Sequence, residues 1–382
     1  MKTLLFILFT ACSLNLAAQN LAVNPDLPTS LGTLQFNTHY YDLWDHWVAL
    51  PKKSATGKYT FGFVYFDMAA GYTLNVEGYF GVDGQGHIFR DSVDYIKNAM
   101  LKIRLAANTV LMAPLTDNML AELKTKKVPF WLAGYEQGAP DVKSVAMEAN
   151  LGKHLNGEGA PAKALEYLED AYKTEPHADG LEFELTYSYN ELKQYDKAIA
   201  ILNSAIANAP NNSMFYRELG FAYMRGNNFD EATKWYKKGI AITKQTAGKT
   251  TALIVAERES RFEMTRNLVF IYVQQKKFDD AIAVVSDFIT DSPRYAQLYN
   301  VLASIYFTEK DYDNAIKTYQ KEIEIVTGAQ AMETKAQLAW DIAVIYRDQK
   351  TDPQNYNLWG NKAKEWAPAN SAIGKGLQKI VL

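Results

Sequence analysis

The chain repeats itself. Residues 179–212 lie over residues 213–246 at a spacing of about 34 positions. Leu185 falls on Leu219, Tyr189 on Tyr223, Ala198 on Ala232 and Leu202 on Tyr236. The intervening turns agree to within one position, Lys193-Gln194-Tyr195-Asp196 against Gly226-Asn227-Asn228-Phe229-Asp230. A period of this length marks one supersecondary unit that cannot bury its apolar face alone, so stacked units share a continuous core. The residue types fit two antiparallel helices per unit. Helices that cross closely need small residues at the crossing and large ones beside it. Ala198 and Ala205 in one unit, Ala232 and Gly239 in the next, and Gly220 on a first helix supply the small ones. Leu185, Tyr189, Leu219 and Tyr223 fill the space between. Pro210 ends a second helix, because proline has no amide hydrogen and clashes with the preceding turn.

The same register extends in both directions. Residues 145–178 place Leu151, Gly152, Leu155, Ala164, Leu168, Ala171 and Pro176 in line. Residues 262–295 do so with Leu268, Tyr272, Ala281, Val285 and Pro293, although Phe288 stands where a small residue is expected. Residues 296–329 match through Tyr299, Leu302, Ala303, Tyr306, Ala315 and Tyr319 and depart at Glu322 and Thr327. A degenerate last unit from Ala336, with Ile342, Ala343, Tyr346, Ala363 and Pro368, suits a capping repeat. That makes about six units over roughly 60% of the chain.

At these residues the chain resembles the tetratricopeptide repeat family. The resemblance implies a mainly α fold, a right-handed α-solenoid of about six helix pairs over residues 144–378. Residues 19–143 escape the register and are read as a small α+β N-terminal domain with a short antiparallel sheet. Three stretches also resemble secreted tetratricopeptide proteins of Bacteroidetes-type bacteria: Val128-Pro129-Phe130-Trp131-Leu132, Leu181-Glu182-Phe183-Glu184-Leu185 and Phe215-Tyr216-Arg217-Glu218-Leu219-Gly220-Phe221. That likeness implies location and architecture, and no activity.

Residues 1–18 read as a secretory signal peptide. Lys2 precedes the apolar run Leu4–Phe9, and Ala17-Ala18 offers a cleavage site that leaves Gln19 first. The run is too short for a transmembrane helix. Phe9-Thr10-Ala11-Cys12 offers an alternative, a lipoprotein box in which Cys12, the only cysteine, is acylated and retained. Either way the expectation is a periplasmic or cell-envelope protein whose mature form has no disulfide. The formal net charge of −3 leaves no basic footprint for nucleic acid.

Within the N-terminal region, Asn24-Pro25-Asp26-Leu27-Pro28 reads as an extended leader. Residues 58–67 alternate Tyr59, Phe61, Phe63 and Tyr65 with smaller partners, the period of a half-buried strand. Residues 72–82 form a second strand, with Ala69-Ala70-Gly71 turning between the two. Asp83-Gly84-Gln85-Gly86 turns into a third strand at 87–90. Asp91 or Ser92 then caps a helix to Ala106 that lines up Val93, Ile96, Met100 and Ile103, and Thr116 caps another through Lys124. Between Thr246 and Phe262 lie residues the repeat does not need. Thr250–Gln275 lacks Gly and Pro, which predicts one long helix whose first half projects.

No pattern points to catalysis or to a cofactor. Ala247-Gly248-Lys249-Thr250 resembles the end of a phosphate loop, but Thr243 stands where its first glycine belongs. His39, Asp42, Asp45 and His46 fit no zinc spacing. Asp83-Gly84-Gln85-Gly86-His87 lacks the acidic ligands of a calcium loop. The family resemblance instead directs attention to the concave face, lined by fixed positions of each first helix. Carried over by register, these are Phe183, Tyr187 and Asn190; Arg217 and Phe221; Arg266 and Phe270; Asn300 and Phe307. Val273, Met224 and Ser304 complete the register. Arginine offers a planar fork for carboxylates, and aromatics offer apolar area at little entropy cost. The expectation is a scaffold that takes a protein or an extended peptide. The lysine–asparagine carboxylate clamp of some family members has no counterpart here. The rival expectation is a carbohydrate or small-molecule binder that stacks its ligand on Trp44, Trp47 and Tyr79 of the N-terminal domain.

Overall fold

The computed structural model describes residues 30–31, 34–51, 58–67, 71–85, 87–91, 101–105, 111–132, 144–245, 250–328 and 330–380. The expected signal peptide, Cys12, the leader at 24–28, the turn residues Ala69 and Ala70, and Ala247-Gly248-Lys249 lie outside them. The chain divides into two compact units, Met1–Ile201 and Leu202–Leu382.

The first unit opens with a short β1–β2 hairpin, Ser30–Leu31 with Leu34–Gln35. A six-stranded sheet follows, built on β3 (His46–Ala49), β4 (Tyr59–Asp67) and β5 (Gly71–Val82). The order continues outward to β6 (Ile88–Arg90) beside β5 and to β8 (Ala113–Pro114) beside β3, and every pairing is antiparallel. The third strand begins as expected after a turn in which the Asp83 carboxylate accepts from the Gln85 and His87 amides, both at 2.9 Å. The expected helix to Ala106 is corrected: Leu101–Arg104 is a strand, β7, paired with residues 73–76 of β5, and residues 92–100 lie outside the description.

Strands β4 and β5 are buried on both faces, more than the half-buried strand the alternation predicts, while all four residues of β7 are exposed. Tyr59, Phe61, Phe63 and Tyr65 turn one way, onto Leu115 and the short helix α1 (Asp117–Glu122) through Met119, Leu120 and Leu123. Thr116 caps α1 as expected, its hydroxyl accepting from the Met119 amide. Val64, Leu74 and Val76 turn the other way, onto Met147 and Leu151 of α2 (Val145–Gly157). The strand layer thus covers the apolar side of the first repeat helix, surface that stacked repeats would otherwise leave open. Helices α3 (Pro161–Thr174), α4 (Leu181–Glu191) and the start of α5 (Tyr195–Asn208) complete this unit. Gly152 on α2 lets Leu168 of α3 pack directly on its backbone.

The second unit holds the remaining helix pairs. They are α6 (Ser213–Arg225) with α7 (Phe229–Thr243), α8 (Thr251–Gln274) with α9 (Phe278–Asp291), α10 (Ala296–Glu309) with α11 (Tyr312–Ile325), and α12 (Ala331–Asp348) with α13 (Pro353–Trp366). Helix α14 (Ala372–Leu377) closes the end. The crossings follow the expected chemistry. A Cβ on Gly220 would lie 2.6 Å from the Tyr236 ring, so the ring fits only against glycine. The Tyr236 hydroxyl accepts from Asn267 Nδ2 at 3.0 Å, which satisfies a polar atom at the centre of the packing. The long helix is α8, 24 residues and about 36 Å. Thr250 caps it by accepting from the Leu253 amide. Its first six residues, 251–256, are exposed, and packing begins at Glu257.

Candidate functional site

The nine groove positions divide between the two units. On α4, Phe183 is half-buried and Tyr187 is 41% exposed, with burial first, then Glu191 and Glu184, raising its phenol above the ordinary range. Asn190 lies beneath the surface at 3% exposure, and its Oδ1 finds no hydrogen-bond partner among the described residues. One repeat earlier, Asn156 occupies the same register position. Its Nδ2 donates to the Glu184 carbonyl at 2.9 Å and carboxylate at 3.0 Å, while Ser188 Oγ donates to its Oδ1 at 2.7 Å. Asn156 therefore ties α2 to α4, a role that two asparagines one repeat apart could have signalled.

In the second unit α6 packs on α8 and α8 on α10, so their six positions belong to adjacent first helices. Arg217 reaches its neighbour Glu218, with Nε at 2.8 Å and a terminal nitrogen at 2.7 Å from the same carboxylate oxygen. Arg266 stands 3.3 Å from Glu263, one turn earlier on α8, and its guanidinium lies 5.7 Å from the Phe262 ring centre. Each arginine is half-buried and balanced by a glutamate on its own helix, so this surface is polar without being strongly cationic. Phe221 carries the Arg225 guanidinium over its ring at 5.6 Å. Phe270 meets Phe229 edge-on at 6.4 Å, and Phe307 meets Tyr312 at 5.6 Å. These edge contacts fix the rings while leaving them half-buried. Asn300 is exposed on α10, and its side chain also hydrogen-bonds Glu322 of α11.

Other candidates are absorbed into the fold. Trp47 belongs to the sheet core, and its indole donates to the Lys126 and Lys127 carbonyls, each at 3.0 Å. A buried indole offers no face to a sugar, which removes it from the expected stacking platform; Trp44 and Tyr79 are half-buried. The His39 ring stacks on Tyr41 at 4.9 Å, and His46 Nδ1 sits 2.6 Å from the Trp44 carbonyl oxygen. Among the described residues no group of three His, Cys, Asp or Glu side chains could hold a metal ion. No described helix is long and apolar enough to cross a membrane.

Models of the tetratricopeptide repeat match residues 155–217, 190–250 and 271–329. No curated protein matches the chain. Solved structures similar to it include a tetratricopeptide repeat protein from Parabacteroides merdae, 16% identical, covering 65% of this chain and 88% of that one, with a TM-score of 0.40. Another is the PilF protein of Pseudomonas aeruginosa, 15% identical, covering 61% and 96%, with a TM-score of 0.39. A third is YrrB, described as having an unusual peptide-binding site, 12% identical, covering 56% and 98%, with a TM-score of 0.35. The matched models and the helix pairs beneath them agree: residues 155–250 and 271–329 of the helical array are tetratricopeptide repeats.

Proposed function

We propose that the chain is an exported scaffold that holds a protein, or an extended segment of one, against the first helices of its repeats. The observation that carries this reading is the surface of α6, α8 and α10 in the second unit. There Arg217, Phe221, Arg266, Phe270, Asn300 and Phe307 stay half-buried or exposed on helices packed side by side. Rings fixed by edge contacts contribute apolar area without a large ordering cost, and arginine forks set direction. Because Glu218 and Glu263 already occupy the two guanidinium groups, a partner carboxylate must displace an internal one. Backbone carbonyls and apolar side chains of a neutral segment suit this surface better than an acidic tail. Lys2, Leu4–Phe9 and Ala17-Ala18 motivate export to the periplasm or cell envelope.

The test starts from proteins retained from an envelope extract by the wild-type chain. One identified partner, prepared pure, is then titrated calorimetrically into wild type and an Arg217→Ala/Arg266→Ala variant. The groove reading expects at least a tenfold loss of affinity in a variant that melts like wild type. Equal affinity in both chains sinks it. Sequencing the mature N-terminus tests export separately, with Gln19 expected first and an acylated Cys12 as the other outcome.

A further inference from the structure

Three repeats close the crossing of their second helix with a small residue: Ala171, Ala205 and Gly239. In the fifth repeat the same position is Glu322 on α11, and it is 4% exposed. Asn300 of α10 hydrogen-bonds its carboxyl, while Oε2 has no hydrogen-bond partner among the described residues. From α12 a second acid, Asp341, acts on the same place and accepts from Gln337 Nε2 at 2.9 Å. Tyr319 of α11 feels both acids. The charges acting on this crossing among the described residues are therefore acidic. Helix α10 brings only the uncharged Asn300, α11 brings Tyr319, α12 brings Asp341, and no lysine, arginine or histidine offsets them.

A carboxylate removed from water without a counter-charge is strongly disfavoured, and a second acid nearby worsens it. The group responds by keeping its proton. Burial first, then the Asp341 charge, pushes Glu322 up to about 8 against the opposing hydrogen bond from Asn300. Burial pushes Asp341 up to about 6, against the opposing hydrogen bond from Gln337.

We propose that Glu322 and Asp341 form a proton-operated latch between the fifth and sixth repeats. With Glu322 protonated, the α10–α11–α12 crossing is closed by a neutral side chain. When the proton leaves, the crossing must admit water or turn the carboxylate outward, and the last repeats loosen together with Asn300 on the groove side. The latch stands independently of what the groove holds.

The linkage has a definite sign. Glu322 is raised above its ordinary value of 4.5, so the folded chain holds the proton more tightly than the unfolded one. Its stabilising contribution is complete below that value and is lost as pH rises to about 8. Across that window the shift corresponds to a loss on the order of a thousandfold in the folded-to-unfolded ratio. The experiment follows thermal unfolding of the full chain from about pH 5 to about pH 9, alongside Glu322→Ala, Glu322→Gln and Asp341→Asn. Glu322→Ala restores the small residue of the other repeats and is expected to flatten the alkaline fall. Asp341→Asn is expected to move the end of that fall to lower pH, because a charge that raises Glu322 is gone. Infrared spectra at neutral pH are expected to show a protonated carboxyl in wild type that Glu322→Gln lacks, a readout that holds even if the alanine variant fails to fold. Parallel pH profiles in wild type and the folded Glu322 variants, or no protonated carboxyl at neutral pH, overturn the latch.

Discussion

Two neighbouring crossings depart from the small-residue rule and resolve it in opposite ways. In the fourth repeat the position is Phe288, 1% exposed, packed face to face with Tyr295 at 5.9 Å. Arg261 of α8 covers it, its guanidinium 4.1 Å from the ring centre, while reaching Asp287 at 3.0 Å and Asp291 at 2.8 Å. In the fifth repeat the position is Glu322, with a second acid nearby and no balancing cation among the described residues. One crossing is closed by apolar area under a balanced ionic lid, the other by a proton. They should also fail at opposite ends of the pH scale. Burial works against the Asp287 carboxylate, but Lys244 and Arg261 outweigh it and hold the group below its ordinary value. Stability from that lid is present above the ordinary aspartate range and lost as pH falls through it, whereas stability from Glu322 is lost as pH rises.

The comparison breaks most visibly if a carboxyl is tolerated at an ordinary crossing. Gly239→Glu would set its Cβ 2.5 Å from Met264 Sδ and 3.0 Å from the Tyr216 Cβ. It would then bury a carboxylate against the Met264 thioether and the Tyr216 side chain. A loss above about 4 kcal/mol, or no folding, is expected. Near-wild-type urea unfolding would mean that the crossing adapts to any occupant, and that Glu322 needs no special account.

Phe288→Ala follows in size. It installs the residue that two other repeats use, yet here it should cost about 3–5 kcal/mol, because α8 and α9 are spaced for a ring. Glu322→Ala makes the same formal change and should stabilise the chain above neutral pH. Equal signs for the two substitutions at pH 8 or above, read by thermal unfolding, would erase the distinction drawn between the crossings.

Much of this arrangement is legible in the sequence, and the limits have physical causes. The period located the helix pairs, Thr116 located the start of α1, and the stretch without Gly or Pro located α8, because caps and helix faces depend on residues close in the chain. Phe288 and Glu322 stood out as departures, but register cannot tell a buried side chain from one turned to solvent. Leu101–Arg104 was misread as helix because Val93, Ile96, Met100 and Ile103 satisfy a helical spacing, while its pairing of Ile103 with Leu74 depends on a distant strand. Among the groove residues, register supplied the helix face but not the bond from Asn300 to Glu322, nor the burial of Asn190.

A smaller effect separates the lid from the ring it covers. Arg261→Met keeps a flexible apolar stem over Phe288 and removes both ion pairs. Asp287 and Asp291 are about half exposed and can be rehydrated, and Lys244 still holds Asp287 at 2.7 Å. The expected cost is about 1–2 kcal/mol, together with a weaker loss of stability in acid. A cost matching that of Phe288→Ala would assign the crossing to the ions and not to the ring.

The smallest expected effect is the one on which the functional reading depends. Arg217 and Arg266 resemble Arg261 in chemistry, but each has an ion pair with a glutamate on its own helix, where Arg261 bridges from α8 to two aspartates of α9. Pairs within one helix add little to stability, so Arg217→Ala is expected to cost less than about 1 kcal/mol. Calorimetric unfolding checks this directly. A loss as large as that of Arg261→Met would make Arg217 a fastening of the repeat, and an affinity change in its variant could then no longer be credited to the groove. A melting curve that overlays wild type leaves the guanidinium available for recognition, which is the condition the binding experiment requires.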